Sequence, residues 1–231
     1  KKALTSRTRV LAFTHLSNTV GDLFPAKELC IMARERGVIS LIDGAQSFGL
    51  LDVDLSNIKP DFYSGSAHKW PCGPKETGVL FVNKSIQEHF WPSIYSAYKG
   101  SEGLAQTHEG LGQRDTPAIY AFGKQIEFLR KIGQSKIEKR SGDLATKIIA
   151  GLQNIQGVSV YTSNKRSLRS AVVTFRPANL DPSKVVKALE NDGIVAANLA
   201  GDGWAGVRFS PHFYNSEWDV KRAIDAIKGY V

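Results

Sequence analysis

Two short apolar runs, each stopping abruptly on polar residues and separated by a helical pattern, constrain this chain more than any other feature. Val10-Leu11-Ala12-Phe13-Thr14-His15-Leu16 reads as a buried strand ending at Ser17-Asn18. Pro25 then stands where a first helical residue is favoured, Ala26, Leu29, Cys30 and Ala33 recur at helical spacing, and Gly37 supplies the stop. Val38 to Ile42 is a second strand, closing on Asp43-Gly44-Ala45-Gln46. A strand that returns through a helix lies parallel to the first, so the class is α/β. Asp61 to Ser66 gives a third strand ending on His68-Lys69, and Gly78 to Val82 a fourth.

Residues 100–113 are rich in Gly, Ser and polar groups without periodicity, the pattern of a long functional loop. Thr116-Pro117 then reads as an N-cap and first helical residue. Ile119, Phe122, Ile126 and Leu129 form one apolar helix face, and Leu144, Ile148, Ile149 and Leu152 a second. Beyond these, strands at Val158–Tyr161, Ala171–Phe175, Ile194–Asn198 and Gly206–Phe209 alternate with two capped helices. Asp181-Pro182 opens one; Ser216 with Asp219 three positions on opens the other as a capping box. The change of pattern predicts a large domain over 1–133, with a mainly parallel sheet, and a small α+β domain over 134–231.

The 231 residues suffice for a sizeable core. No apolar stretch approaches the roughly 20 residues that span a bilayer, and no apolar segment follows the basic start, so neither membrane nor signal peptide is expected. Two cysteines, Cys30 and Cys72, without close spacing argue for the cytoplasm and against a disulfide scaffold or a metal site. The net charge of +8 raises nucleic acid as a partner. The basic residues are scattered, however, with Lys136, Lys139 and Arg140 the nearest to a cluster, and no nucleic-acid motif accompanies them. A solvated helix face is expected there.

Three polar groups fall at strand ends: Asn18, Asp43 with Gln46, and Ser66/His68/Lys69. Ligands of open α/β sheets bind beyond the carboxyl ends of the strands, so all three point to one crevice. A buried carboxylate beside a lysine suits pyridoxal-phosphate (PLP) chemistry: the amine forms a Schiff base and the carboxylate keeps the pyridine nitrogen protonated. The lysine must also lose its proton readily, which burial promotes.

The runs Asp43-Gly44-Ala45-Gln46, Asp61-Phe62-Tyr63-Ser64-Gly65-Ser66-Ala67-His68-Lys69 and Gly73-Pro74-Lys75-Glu76-Thr77-Gly78-Val79-Leu80 resemble the class V aminotransferase family of PLP enzymes. That family includes cysteine desulfurases, kynureninases and isopenicillin N epimerase-like enzymes. The resemblance implies the C-terminal part of a PLP-dependent transferase of fold type I. Lys69 is then the Schiff-base lysine and the base at the substrate α-carbon. Asp43 pairs with the pyridinium nitrogen, and Gln46 bonds the ring hydroxyl. Ser66 and His68 bind the cofactor phosphate, joined by Thr116 from a neighbouring subunit, so the working form is a homodimer with shared sites. Asn18 faces the substrate or the ring hydroxyl, and Arg208 clamps the substrate carboxylate. The substrate is an amino acid or amine, handled by an aminotransferase, by an epimerase or C–S lyase, or bound by a silent PLP-fold subunit.

The sequence departs from the family pattern in several places. Glu76 and Asp115 stand where glycine is usual, and 194–206 holds no cysteine, which disfavours sulfur transfer through a thiol there. A front portion carrying the first strands is expected in a longer polypeptide of about 400 residues. His15, His108 and His212 read as structural or rim residues, and Cys72 as packing.

Overall fold

The computed structural model describes residues 3–94, 103–110, 112–177, 179–201 and 203–231. In the first half the order is β1 (Val10–Thr14), α1 (Ala26–Arg34), β2 (Ile39–Asp43), α2 (Leu55–Ile58), β3 (Phe62–Ser66) and β4 (Gly78–Val82). These strands form one sheet in the order β1-β2-β3-β4; the first three are parallel and β4 is antiparallel to β3. Ala26 and Cys30 of α1 pack on Ile42 and Tyr63, with Ile58 of α2 closing that core. Among the described residues β1 pairs on one side only, with β2, and Val10 is about half exposed at 49%. An apolar run gives strand type but not the position of the strand in the sheet.

The second half comprises α3 (Ala105–His108), α4 (Thr116–Ile132), α5 (Gln134–Gln153), β5 (Val158–Val160), β6 (Val173–Pro177), α6 (Pro182–Asn191), β7 (Ala197–Leu199), β8 (Gly206–Phe209) and α7 (Glu217–Tyr230). β5 to β8 make an antiparallel sheet in the order β5-β6-β8-β7. One core joins Leu144, Ile148 and Leu152 of α5, Val185 and Leu189 of α6, and Val220 and Ile227 of α7 to Val173, Phe175, Val207 and Phe209 of the sheet. Asp181 caps α6 through Ser183 N, and Ser216 with Asp219 completes the capping box of α7. Lys139 and Arg140 are paired with Asp143 and Glu217, as befits a solvated face.

Three sequence expectations shift. The cap of α4 is Asp115, whose carboxylate accepts from Ala118 N, and Thr116 is the first helical residue, ahead of Pro117. A carboxylate one residue upstream outcompetes the hydroxyl for the same orphan amide. The expected loop contains a helical turn, α3, held by His108 stacked on Phe90 at 4.4 Å; residues 100–102 and 111 of that loop lie outside the described residues. Strands β6 and β7 begin at Val173 and Ala197, later than their apolar runs; before β6, Ala171 and Val172 turn into a third cluster with Leu16, Leu50, Leu51 and Trp70.

That third cluster joins the two sheets, and Gly21 permits it. Gly21 has φ +80°, and a Cβ there would lie 2.2 Å from Val172 O. Gly21→Ala is therefore expected to lower stability by roughly 3 kcal/mol through backbone strain and overlap together, read as a shifted denaturant midpoint. An unchanged midpoint would mean that the 17–23 segment is not held against Val172.

Candidate active site

The parallel register sets Thr14 beside Asp43 and Asp43 beside Ser64, so the carboxyl ends of β1, β2 and β3 form one rim. Gly44 turns the chain sharply at this rim. Its N–H donates to Ser64 O at 2.7 Å, and a Cβ would lie 2.2 Å from Tyr63 Cζ, so only glycine fits. Burial raises the Tyr63 hydroxyl to about 12, and this phenol is bonded to Ser47 Oγ at 3.0 Å beneath the turn. Asp43 Oδ1 accepts from Ala45 N at 2.9 Å, which orients the carboxylate and leaves Oδ2 for another donor.

Ser66, the last residue of β3, is half-buried, and beyond it the chain closes a tight turn. Gly73 N donates to Ala67 O at 2.7 Å, Cys72 N donates to Lys69 O at 3.0 Å, and Cys72 takes a left-handed φ of 55°. His68 and Lys69 stand exposed on this turn, and Asp43 is exposed as well. The expectation of a buried carboxylate and lysine is thus not met within the described residues, because strand-end groups of this sheet face outward over an open rim. The turns after β2 and β3 are tied directly: Trp70 Nε1 donates to Gln46 Oε1 at 2.8 Å.

Asn18 and Arg208 are also brought together, although they lie far apart in sequence. Arg208 projects from β8, and its Nη1 donates to Asn18 O at 2.7 Å. The neighbouring carbonyls follow suit: Thr19 O accepts from the Thr174 hydroxyl, and Val20 O from the Thr162 hydroxyl at 2.7 Å. Burial pulls the Arg208 guanidinium below its usual range, and its Nε is buried with no hydrogen-bond partner among the described residues. A cation so placed favours an anionic ligand. Thr116 is not drawn into this cluster. It is exposed at the start of α4, and its backbone N–H bonds Arg114 O.

His15 is buried, its Nδ1 has no partner among the described residues, and burial lowers it to about 4, so it is neutral and structural. His212, read from the sequence as structural or rim, is also buried, and its Nε2 lies 2.7 Å from the backbone O of Trp70, a residue that sequence reasoning did not single out. No local pattern flags a tryptophan whose partner is a glutamine in another turn. A cavity of about 510 Å³ between β7, β8 and α7 includes Arg208 but none of Asp43, Gln46, Ser66, His68 or Lys69. Among the described residues no helix is long and apolar enough to cross a membrane.

Residues 1–223 match the family model described as Aminotransferase class-V. The chain is 32% identical to isopenicillin N epimerase of Streptomyces clavuligerus, covering 97% of this chain and 61% of that protein. It is 31% identical to a probable cysteine desulfurase of Halalkalibacterium halodurans, covering 95% and 57%. The apo cysteine desulfurase of Thermococcus onnurineus NA1 superposes with a TM-score of 0.87 at 25% identity, over 96% of this chain and 60% of that one. A solved cystine C–S lyase in complex with cysteine persulfide shares the fold at a TM-score of 0.88 and 20% identity. The chain thus spans about 60% of the length of the curated relatives it matches. Matched over almost its whole length, the chain belongs to the class V aminotransferase family.

Proposed function

We propose that this chain forms the lysine- and carboxylate-binding part of a PLP-dependent enzyme that moves the proton at the α-carbon of an amino acid, as an aminotransferase does. Residues 1–133 would supply its share of the cofactor domain and 134–231 the small domain. The observation that carries this reading is Arg208: a half-buried guanidinium anchored on Asn18 O, with a buried Nε that has no partner among the described residues. Such a fork is made for a carboxylate.

The donor set at the strand ends fits PLP. It offers an amine on a closed turn, a carboxylate with Oδ2 uncommitted, an amide with its NH₂ turned away from Trp70, and a hydroxyl and imidazole at the end of β3. When bound, the cofactor supplies an electron sink that acidifies the substrate α-proton. Lys69 would hold the cofactor and carry that proton. Asp43 would keep the ring nitrogen protonated, Gln46 would donate to the ring hydroxyl, and Ser66 and His68 would hold the phosphate. Arg208 and Asn18 would fix the substrate carboxylate, so that the α-carbon lies before the Lys69 amine.

A second reading, epimerisation, is favoured by the 32% identity to an isopenicillin N epimerase. Thiol-mediated desulfuration is not favoured, since 194–206 holds no cysteine. Incubating the holoenzyme with the common amino acids in deuterated water tests the core of the proposal. Exchange of the α-hydrogen is expected; an α-keto acid then marks transamination, and an inverted α-carbon marks epimerisation. Bound cofactor without exchange for any amino acid would leave a silent binding subunit and defeat the proposal.

The working form is proposed as a cytoplasmic homodimer with shared sites. Two observations support this: Cys30 and Cys72 are free thiols, and Ile119, Tyr120 and Phe128 of α4 stand exposed in the single chain. Thr116, exposed at the start of that helix, would give its hydroxyl to a partner's phosphate. Thr116→Ala is expected to weaken PLP binding about tenfold, the worth of one hydrogen bond to a charged group. Sedimentation should show a dimer; an active monomer, or undiminished affinity in the variant, would defeat the shared site.

A further inference from the structure

A glutamine facing a ring hydroxyl works only if the correct end of its amide points outward, and shape alone does not distinguish the two ends. Trp70 decides the matter here. Its indole N–H is a donor only, so the 2.8 Å bond to Gln46 must be accepted by Oε1, which turns the NH₂ away as a donor. The indole is held in turn: it is buried at 5% exposure among Leu16, Leu50, Leu51, Ala171 and Val172.

The Trp70 backbone is fixed by a residue from the second sheet. His212 Nε2 lies 2.7 Å from Trp70 O, while His212 Nδ1 accepts from Phe213 N at 2.8 Å. A ring that donates on one nitrogen and accepts on the other is neutral and in a single tautomer. The imidazole is packed against the Trp70 ring at 5.2 Å and stacked on Tyr214 at 4.7 Å. Its own backbone N–H donates to Asn215 Oδ1 at 2.9 Å, just ahead of the Ser216 cap of α7. A continuous set of directed bonds therefore runs from the start of α7, through His212 and Trp70, to Gln46. Trp70 is also the residue that follows Lys69.

We infer that Trp70 and His212 are positioning residues: Trp70 sets the amide orientation of Gln46 toward the cofactor ring hydroxyl, and His212 holds Trp70 and the turn that carries Lys69. The inference rests on the PLP reading above and deepens it. Neither side chain touches the reacting atoms, so their effect passes through Gln46 and Lys69.

The test compares Trp70→Phe, Gln46→Ala and the double variant in the holoenzyme, reading the PLP dissociation constant and the pH midpoint of the visible cofactor band. Phenylalanine keeps most of the apolar packing and removes the N–H. Each single variant is expected to weaken PLP about tenfold and move the midpoint in the same direction, and the double variant to lose no more than Gln46→Ala alone. An unaltered Trp70→Phe protein, or losses that multiply in the double variant, would overturn the role of Trp70. His212→Gln, which keeps a donor near the Nε2 position, should retain more affinity than His212→Phe; equal loss in both would reduce His212 to packing. In the apoprotein, Gln46→Ala should move the Trp70 indole proton resonance upfield, and a fixed resonance would disprove the bond itself. Wild-type protein that takes up no PLP would instead sink the functional reading, an outcome separate from all of these.

Discussion

Lys69→Ala is expected to slow turnover by at least about 10³-fold and to erase the visible absorbance band of the bound cofactor. The side chain stands exposed on its turn, so its loss removes chemistry and not packing. The bonds that close the turn, Cys72 N to Lys69 O and Gly73 N to Ala67 O, are made by the backbone and survive the substitution. Thermal stability should accordingly stay within about 0.5 kcal/mol of the parent, as for an ordinary surface position. Steady-state rates, the absorbance spectrum and a melting curve on the same sample check all three parts. A variant that kept both its band and its rate would show that Lys69 is not the residue that holds the cofactor.

Arg208→Ala should leave the cofactor in place and penalise the substrate. The expected loss in kcat/KM for a substrate with an α-carboxylate is roughly 2–5 kcal/mol, carried mainly by KM. The direction follows from a guanidinium that has one N–H on Asn18 O and a buried Nε with no partner among the described residues. Part of any change belongs to the lost Asn18 bond, about 1 kcal/mol, and appears in stability instead. An amine without a carboxylate separates the two contributions, since its kinetics should respond only to the smaller one. Arg208→Lys restores the charge but not the fork, and it should recover only part of the affinity. An unchanged KM for the carboxylate substrate would return Arg208 to a purely structural role.

Much of the fold was legible because its cues are local. The strand end at Asp43, the Asp181 cap and the Ser216/Asp219 box each depend on residues within a few positions, and the structure keeps all of them; β3 stops at Ser66, and Lys69 lies on the turn beyond it. Where two local cues competed, as at Asp115 and Thr116, sequence alone chose the wrong cap. The exposure of Lys69 depends on what lies above a rim, which no periodicity encodes. The site itself divides in the same way. Most residues that would touch a ligand sit in dense motifs between Asp43 and Lys69, whereas Trp70 and His212, 142 positions apart, meet only after the chain has folded. A long-range contact of this kind leaves no trace in composition or spacing.

The run of carbonyls at Asn18, Thr19 and Val20, each taken by a side chain from Arg208, Thr174 or Thr162, also limits how such an enzyme could move. Rocking the second sheet away to admit a substrate would break these bonds, at about 1 kcal/mol net for each. It would also wet Leu16, Trp70 and Val172, at about 1.5–3 kcal/mol for each large side chain. A form opened along this line would hold fewer than about one molecule in a thousand. The joint is a weld and not a hinge. In the proposed enzyme, substrate would enter past an Arg208 held on Asn18 O.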